Sequence, residues 1–502
     1  MIIIASASSD TYITNKIIDA SPAVSGNVGR AGTLDLFKLY DESTVVTGAL
    51  ELSRVLIKFD TSKAKVLASS SLDIASNTFR ATLRLRNISA GQPVPSNFTV
   101  QVFPLAVPFS EGLGRDVISF ADVDYANYLS NSSGSFWNAS GSYKSGTLGG
   151  TGVDYYASGN LLDGAGIVNL GSTMNFPLGT EDLIVDVTNV VSATIAGILP
   201  DHGFRISFID SQENDGVTRF VKRFASRHVR QQSIRPSLLI SYDDSIVDNH
   251  SSSYFDLTSS LYVHNIVRGA YANFVSGSSL TQVTGSNCFL ARFSTGSYAK
   301  YVTGSQSRLA APTTGIYSAS VAFFSGDSTP ISGSLTLKSA LESSGFIMFD
   351  EVWTSLDRTV TYYSGSLKVS QHQGATKSSG VRKIRSSMLS TPATLQRGQQ
   401  VKIRVNFYDD YDQNRSSKFS FEPLPLEINE CRVRLRDMST GDLVFGFDEP
   451  GSKMSMDTLS SYFTLQTDSL PTGVPLSFEY QIVTAGETLQ VTNKSYTLVL
   501  SE

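Results

Sequence analysis

An all-β protein is expected, and three features of the sequence point to it. Apolar and polar side chains alternate with a period of two in many short runs, most plainly between residues 51 and 88. There Val55, Ile57 and Phe59 fall on one face, with Arg54 and Lys58 on the other. Phe79, Ala81, Leu83 and Leu85 then face one way, and Arg80, Thr82, Arg84 and Arg86 the other. Successive side chains of a strand point to opposite faces, so each run predicts one apolar and one wet side; a helix would scatter the same residues around its axis. Second, 28 Phe and 21 Tyr accompany abundant Gly, Ser and Thr, a composition suited to strands joined by many turns. Third, 502 residues exceed what one core ordinarily serves, so several domains are expected.

The elements follow in chain order. Residues 1–245 form one predicted unit, with strands near 2–5, 10–13, 33–39, 98–103, 183–187, 204–208 and 237–242 besides the two runs above. A short helix is expected within 116–129, and another after Thr188 or Asn189, stopped by Gly197 and Pro200. The Gly/Ser-rich excursion 130–179 is expected to be a contact loop that orders on a partner. About ten strands with little helix predict a jelly-roll-like sandwich. Residues 246–253 read as a polar linker. Residues 254–395 predict a smaller sandwich, with strands at 261–267, 287–293, 316–324, 333–338 and 359–369, and Trp353 as core anchor. Residues 396–502 predict an immunoglobulin-like sandwich, from the alternation of Val401, Ile403 and Val405 and of Cys431, Val433 and Leu435.

Charge and motifs exclude several function classes. Charged residues make up 17% and the net charge is −5, so there is no overall field to hold nucleic acid or an anionic membrane. No window approaches the roughly 18 apolar residues of a membrane span, and MIIIASASSD lacks the basic segment of a signal peptide. Cys288 and Cys431 fit neither a disulfide framework nor a zinc pattern and are expected as free thiols. His202, His228, His250, His264 and His372 form no metal-binding pair at helical spacing, and no G-x-S-x-G elbow is present. The glycines at 149, 150 and 152 and at 164 and 166 punctuate loops. The acidic run 409–414 places Asp410, Asp412 and Asn414 like the start of a calcium loop. Arg415 and Phe421 then stand where such a loop needs Gly and Glu, so a solvated turn is preferred. Asp182 and Asp186, on one strand, lie roughly 13 Å apart, too far for a retaining glycosidase. No catalytic residue, metal or cofactor is assigned.

The densest positive stretch holds Arg219, Lys222, Arg223, Arg227, Arg230 and Arg235, interleaved with Phe220 and Phe224. Strands with basic wet faces are the plain reading. An acidic patch on a partner protein suits the stretch better than nucleic acid. The candidate partner contacts are therefore Arg219, Lys222, Arg223, Arg227 and Arg230, with Arg382, Lys383 and Arg385 from a second basic loop at 373–386. Trp137, Tyr155 and Tyr156 are candidate stacking platforms for sugar rings, or pins holding the excursion to the sandwich.

Nine short motifs in order carry a resemblance: ASSDTYI (7–13), RVLIKFD (54–60), FRATLRL (79–85), PFSEG (108–112), FWN (136–138), LIVDVTNVV (183–191), GFRISF (203–208), FASRH (224–228) and RPSLLISY (235–242). In these residues 1–245 resemble a DNRLRE-type domain, a β-sandwich of adhesins, cell-surface proteins and polysaccharide-binding modules. That family usually has Glu after the Ser-Arg pair, where His228 stands here. The whole chain is similar to structural proteins of tailed bacteriophages, through MIIIASASSDTYI, NVGRAGTLDLFKLY, LYVHNIVRGAYANFVSGSSL and SMDTLSSYFTLQTDSLPTGVPLSFEYQI. The resemblance implies a non-enzymatic virion component of tail, baseplate or neck, made in the host cytoplasm. It would be present in several copies and contact other virion proteins, with neither nucleic acid nor membrane insertion. The alternative is an adhesin whose first domain binds host surface polysaccharide.

Overall fold

The computed structural model describes every residue except 45, 90, 92, 119–123, 162–165, 278–279, 309–310, 372–383, 390–393, 410–427, 469, 485–486 and 502. The described residues are predominantly strands, with few and short helices, arranged around three large cores.

The first core is built around one long strand, Ile2–Thr14. Its first half pairs with Ser237–Ser241, which leads through Arg80–Leu85 to Leu183–Asp186. At a bulge between Ala7 and Ser9 it changes layers. Its second half pairs with Leu50–Phe59, followed by Phe204–Phe208, Phe98–Pro104 and Ser172–Phe176. Thr33–Tyr40 continues from Leu50–Phe59 and carries Arg219–Ala225 on its other side. Val55, Ile57, Phe79, Ala81, Leu83 and Leu85 all lie in the core, as their alternation predicts.

The face of Arg54, expected to be wet, is covered instead, while on the second run Arg80 is exposed. Arg54 is 1% exposed, because residues of the excursion lie over it. Ile13, Leu56, Leu105, Ala126 and Trp137 form a small second core on that side of the sheet. The excursion is thus largely built in, not left to order on a partner. It contributes a three-stranded sheet of Ser145–Thr147, Tyr155–Gly159 and Val168–Asn169. Asp154, fully buried, ties its turns by accepting from the backbone N–H groups of Asn138, Ala139 and Lys144 at 2.7–3.0 Å.

The helices depart from expectation in part. Thr188–Ile195 forms as predicted. The short helix Ser62–Ala68 was not anticipated. Within 116–129, residues 119–123 lie outside the described set and the remainder is turns. Residues 333–338 are not one strand: Leu335–Thr336 runs straight into the helix Leu337–Ser344. Thr336 starts that helix by accepting from the Ser339 N–H while the Ser339 hydroxyl accepts from the Thr336 N–H.

The middle unit is a seven-stranded sheet whose end strands, Ser253–Tyr254 and Thr258–His264, are neighbours in sequence, so the sheet curls around its core. Trp353 is fully buried there and stacks on Phe289 at 4.7 Å. The third unit packs a four-stranded sheet on a five-stranded one around Ile403, Val405, Cys431, Val433 and Phe478. Cys288 and Cys431 are free thiols. Among the described residues no helix is long and apolar enough to cross a membrane.

The first and third sandwiches share an interface. Leu239 belongs to the third core, and Ile2 and Ile4 pack against it. The backbones meet closely at Gly451, whose N–H donates to Ser241 Oγ at 2.7 Å; a Cβ there would stand 2.0 Å from the Met1 carbonyl oxygen. The supposed linker is ordered. Val247 bridges Met456 of the third sandwich, with backbone hydrogen bonds of 2.9 Å on either side.

Candidate functional site

The basic stretch folds as the edge strand Arg219–Ala225 and the turn after it, and most of its charge is used within the fold. Arg219 grips Asp215 through both Nη groups at 2.9 and 2.6 Å. These bonds, with those of Lys38, hold the Asp215 carboxyl far below the usual range. Lys222 is corrected as a partner contact, because its side chain points inward and is fully buried. Its ammonium donates to Asn87 Oδ1 and to the carbonyls of Gly179 and Glu181 at 2.6–2.8 Å, between the rings of Phe176 and Phe224. Burial lowers its pKa to about 8. Arg219, 8% exposed, is likewise withdrawn. Arg223 pairs with Asp35 at 3.1 Å, Arg230 is exposed, and Arg385 is exposed on Ile384–Leu389. Arg382, Lys383, His372 and the acidic run from Asp410 lie outside the described residues.

Three of the motifs converge on one point. Asp10, Glu111 and His228 bring ligand atoms within 4.8 Å of one another. Glu111 accepts from Arg227 Nε and Nη2 at 2.5 and 2.6 Å and from the Asp10 N–H at 2.9 Å, and meets His228 Nε2 at 3.2 Å. Asp10 Oδ2 accepts from the Arg227 N–H at 2.6 Å, while Oδ1 is buried without a partner. Burial and the Glu111 charge push the Asp10 carboxyl up to about 7. A cation held by these residues would compete with Arg227, which already engages both oxygens of Glu111. As built, the cluster fastens the start and the end of the first domain to the 108–112 turn.

A second buried network lies beneath the excursion. Glu213 accepts from Arg54 Nε and Nη2 at 3.0 and 2.7 Å, and Arg205 stands 3.9 Å away. Arg54 also donates to the Gly141 carbonyl and Arg205 to the Ser142 carbonyl, so two guanidiniums pin one turn. Arg205 stacks over Tyr155 at 4.6 Å. Trp137 donates to the Asn127 carbonyl at 2.9 Å. Trp137 and Tyr155, 5% and 4% exposed, are therefore pins of the excursion and are corrected as sugar platforms. Tyr156 is half-buried against the first core.

Two clefts stand out among the described residues. One, of about 620 Å³, lies beside Arg80, Asn169, Asp186 and Asn189. The other, of about 180 Å³, separates the first and third sandwiches and is lined by Arg84, Arg86, Arg227, Arg235 and Arg397. Sequence reasoning included Arg227 and Arg235 in the basic stretch but had no means of placing Arg84 and Arg397 beside them, since Arg397 lies more than 150 residues away.

No protein-family model matches the chain, and no curated protein matches it. Among solved structures it is weakly similar to the crystal structure of Salmonella alpha-2-macroglobulin reacted with methylamine. The identity is 9% and the TM-score 0.14, over 99% of this chain and 34% of that one. The chain spans about a third of that protein's length, and so low a score carries no argument.

Proposed function

We propose that the chain is a non-enzymatic structural component of a tailed-phage particle, in its tail, baseplate or neck, where it bridges neighbouring virion proteins. The supporting observation is the way its three cores are fastened into a body with several outward surfaces. Arg84 of the first sandwich binds Glu449 of the third at 2.9 Å, Lys63 binds Gln466 and Asp468, and residues 246–248 pair with the third sandwich before the chain enters the middle unit. Such a body suits standard interfaces, which bury about 1,600 Å² in total. The test is mass spectrometry and cryo-electron microscopy of gradient-purified particles. The chain is expected at fixed stoichiometry with density matching three β-units. Its presence in the lysate but not in particles would overturn the proposal.

One observation favours a second reading, a glycan-binding first domain. The larger cleft is lined by hydrogen-bonding side chains, including Asn77, Thr78, Arg80, Asn169, Asp186 and Asn189. A glycan array on the whole chain, with Asp186→Ala and Asn189→Ala as controls, tests this. Loss of polysaccharide viscosity on adding the protein would instead mark a depolymerase.

A further inference from the structure

The smaller cleft has an unusual charge balance. Of its five guanidiniums three are committed: Arg84 to Glu449 at 2.9 Å, Arg86 to Asp182 at 2.6 Å and Arg227 to Glu111 at 2.5 Å. Arg235 and Arg397 are held differently. Each donates through Nε to a backbone carbonyl, of Val229 at 2.9 Å and of Asp468 at 2.6 Å. Neither is in an ion pair among the described residues, so the outer ends of both guanidinium forks are not committed to a carboxylate. Arg84 adds a buried Nε–H with no acceptor. Two carboxylates also line the cleft. Asp437 Oδ1 accepts from the Ser439 and Thr440 N–H groups of its own turn while its Oδ2 is buried without a partner, so Asp437 and Asp442 are the anions an incoming carboxylate would compete with.

The remaining wall is mixed: Ile4, Leu239, Leu443, Val444 and Leu470 give it aliphatic carbon, beside the polar side chains of Ser6, Gln232, Ser233 and Ser237. A planar guanidinium fork matches a carboxylate through two parallel hydrogen bonds. Arginine beside aliphatic carbon suits a peptide in which an acidic residue neighbours an apolar one. An extended polyanion fits less well: it would meet the chain's net charge of −5 beyond the cleft.

We propose that this inter-domain cleft binds an acidic peptide segment of a neighbouring protein. A carboxylate would sit on Arg235 and Arg397, with an adjacent aliphatic side chain against Ile4, Leu443 and Val444. The proposal rests on the assembly role above and names the chemistry of the partner.

The experiment selects a displayed library of random 12-residue peptides against the full chain and counter-screens on Arg235→Glu/Arg397→Glu. Neither arginine holds an ion pair within the described fold, so the variant should melt within a few degrees of the parent. Selected peptides are expected to be enriched in Asp or Glu next to Leu, Ile or Val. They should lose at least tenfold in affinity on the double variant, and less on Arg235→Lys/Arg397→Lys, which keeps the charge but not the fork. Selection without acidic enrichment, or binding indifferent to the double Glu variant, overturns the proposal. So does preferential binding of inorganic phosphate or a sulfated oligosaccharide, which would assign the cleft to a different anion. The assembly role is judged separately, on purified particles: peptide binding by a chain absent from particles would refute assembly alone, and particle incorporation without peptide binding would refute the cleft alone.

Discussion

Arg84 and Glu449 join two sandwiches across a desolvated boundary: Nη2 donates to Oε1 at 2.9 Å, and the Glu449 side chain is only 3% exposed. The same guanidinium donates through Nη1 to the Val444 carbonyl at 2.9 Å. Burial raises the Glu449 pKa and Arg84 opposes it, so the pair is held by mutual need more than by net gain. Arg84→Met should destabilise the chain by about 3–5 kcal/mol in urea unfolding, because it strands a buried carboxylate. Arg84→Met/Glu449→Leu should recover most of that loss. A double variant as unstable as the single one would show that the boundary does not depend on this charge.

His250 is predicted to make the junction with the middle unit sensitive to alkali. Its Nδ1 meets Asp248 and its Nε2 meets Glu351 at 3.0 Å, with Trp353 donating to the same Glu351 oxygen. Tyr262 and Tyr363 are the other titratable groups nearby; their pKa values are raised mainly by burial, with Asp248 adding to both. Burial alone would depress the imidazole, but the two carboxylates overcome it and lift the pKa to about 9. A histidine raised in the folded state contributes its full stability below the unfolded value of about 6.5, and loses it as pH climbs through 9. The contribution is on the order of 3 kcal/mol. Unfolding midpoints should fall between pH 6 and 9.5 in the parent and fall much less in His250→Gln.

Among the described residues Glu213 is the anion that Arg54 and Arg205 share. Glu213→Gln should therefore cost about 3–5 kcal/mol, since two buried guanidiniums lose their counter-charge. Hydrogen exchange should quicken first at residues 137–143, the turn those guanidiniums hold. Unchanged protection there would disprove the link.

Deleting residues 135–159 is expected to abolish folding of the first domain, not merely its contacts. The deletion removes Trp137 from the cluster of Ile13, Leu56 and Leu105, and uncovers Arg54. Cooperative melting of the deletion variant at the parental temperature would count against this.

Alternation along the strands made the cores legible: Val55, Ile57, Phe79 and Leu83 went where a period of two sends them. The opposite faces were not legible, because Arg54, Arg84 and Lys222 look solvent-bound to any local rule. Arg54 and Lys222 are buried, and Arg84 partly covered, by segments distant in sequence: by the excursion, by the 179–181 turn and by the third sandwich. Leu52 and Leu56, on the supposed wet face either side of Arg54, were the local hint of a covering layer. In the candidate sites, the order of motifs around Asp10, Glu111 and Arg227 was visible, but their meeting point was not. Arg397 reached the cleft only through domain packing, which no periodicity encodes.

The long first strand bears on synthesis. Ile2 and Ile4 are made long before residues 384–501, yet with Leu239 they pack against the core those later residues contribute. Until residues 384–501 emerge this greasy strip lacks that cover on the ribosome-bound chain, and products terminated before them keep it bare. Truncated chains should therefore clump or engage chaperones even when their first sandwich is correctly closed.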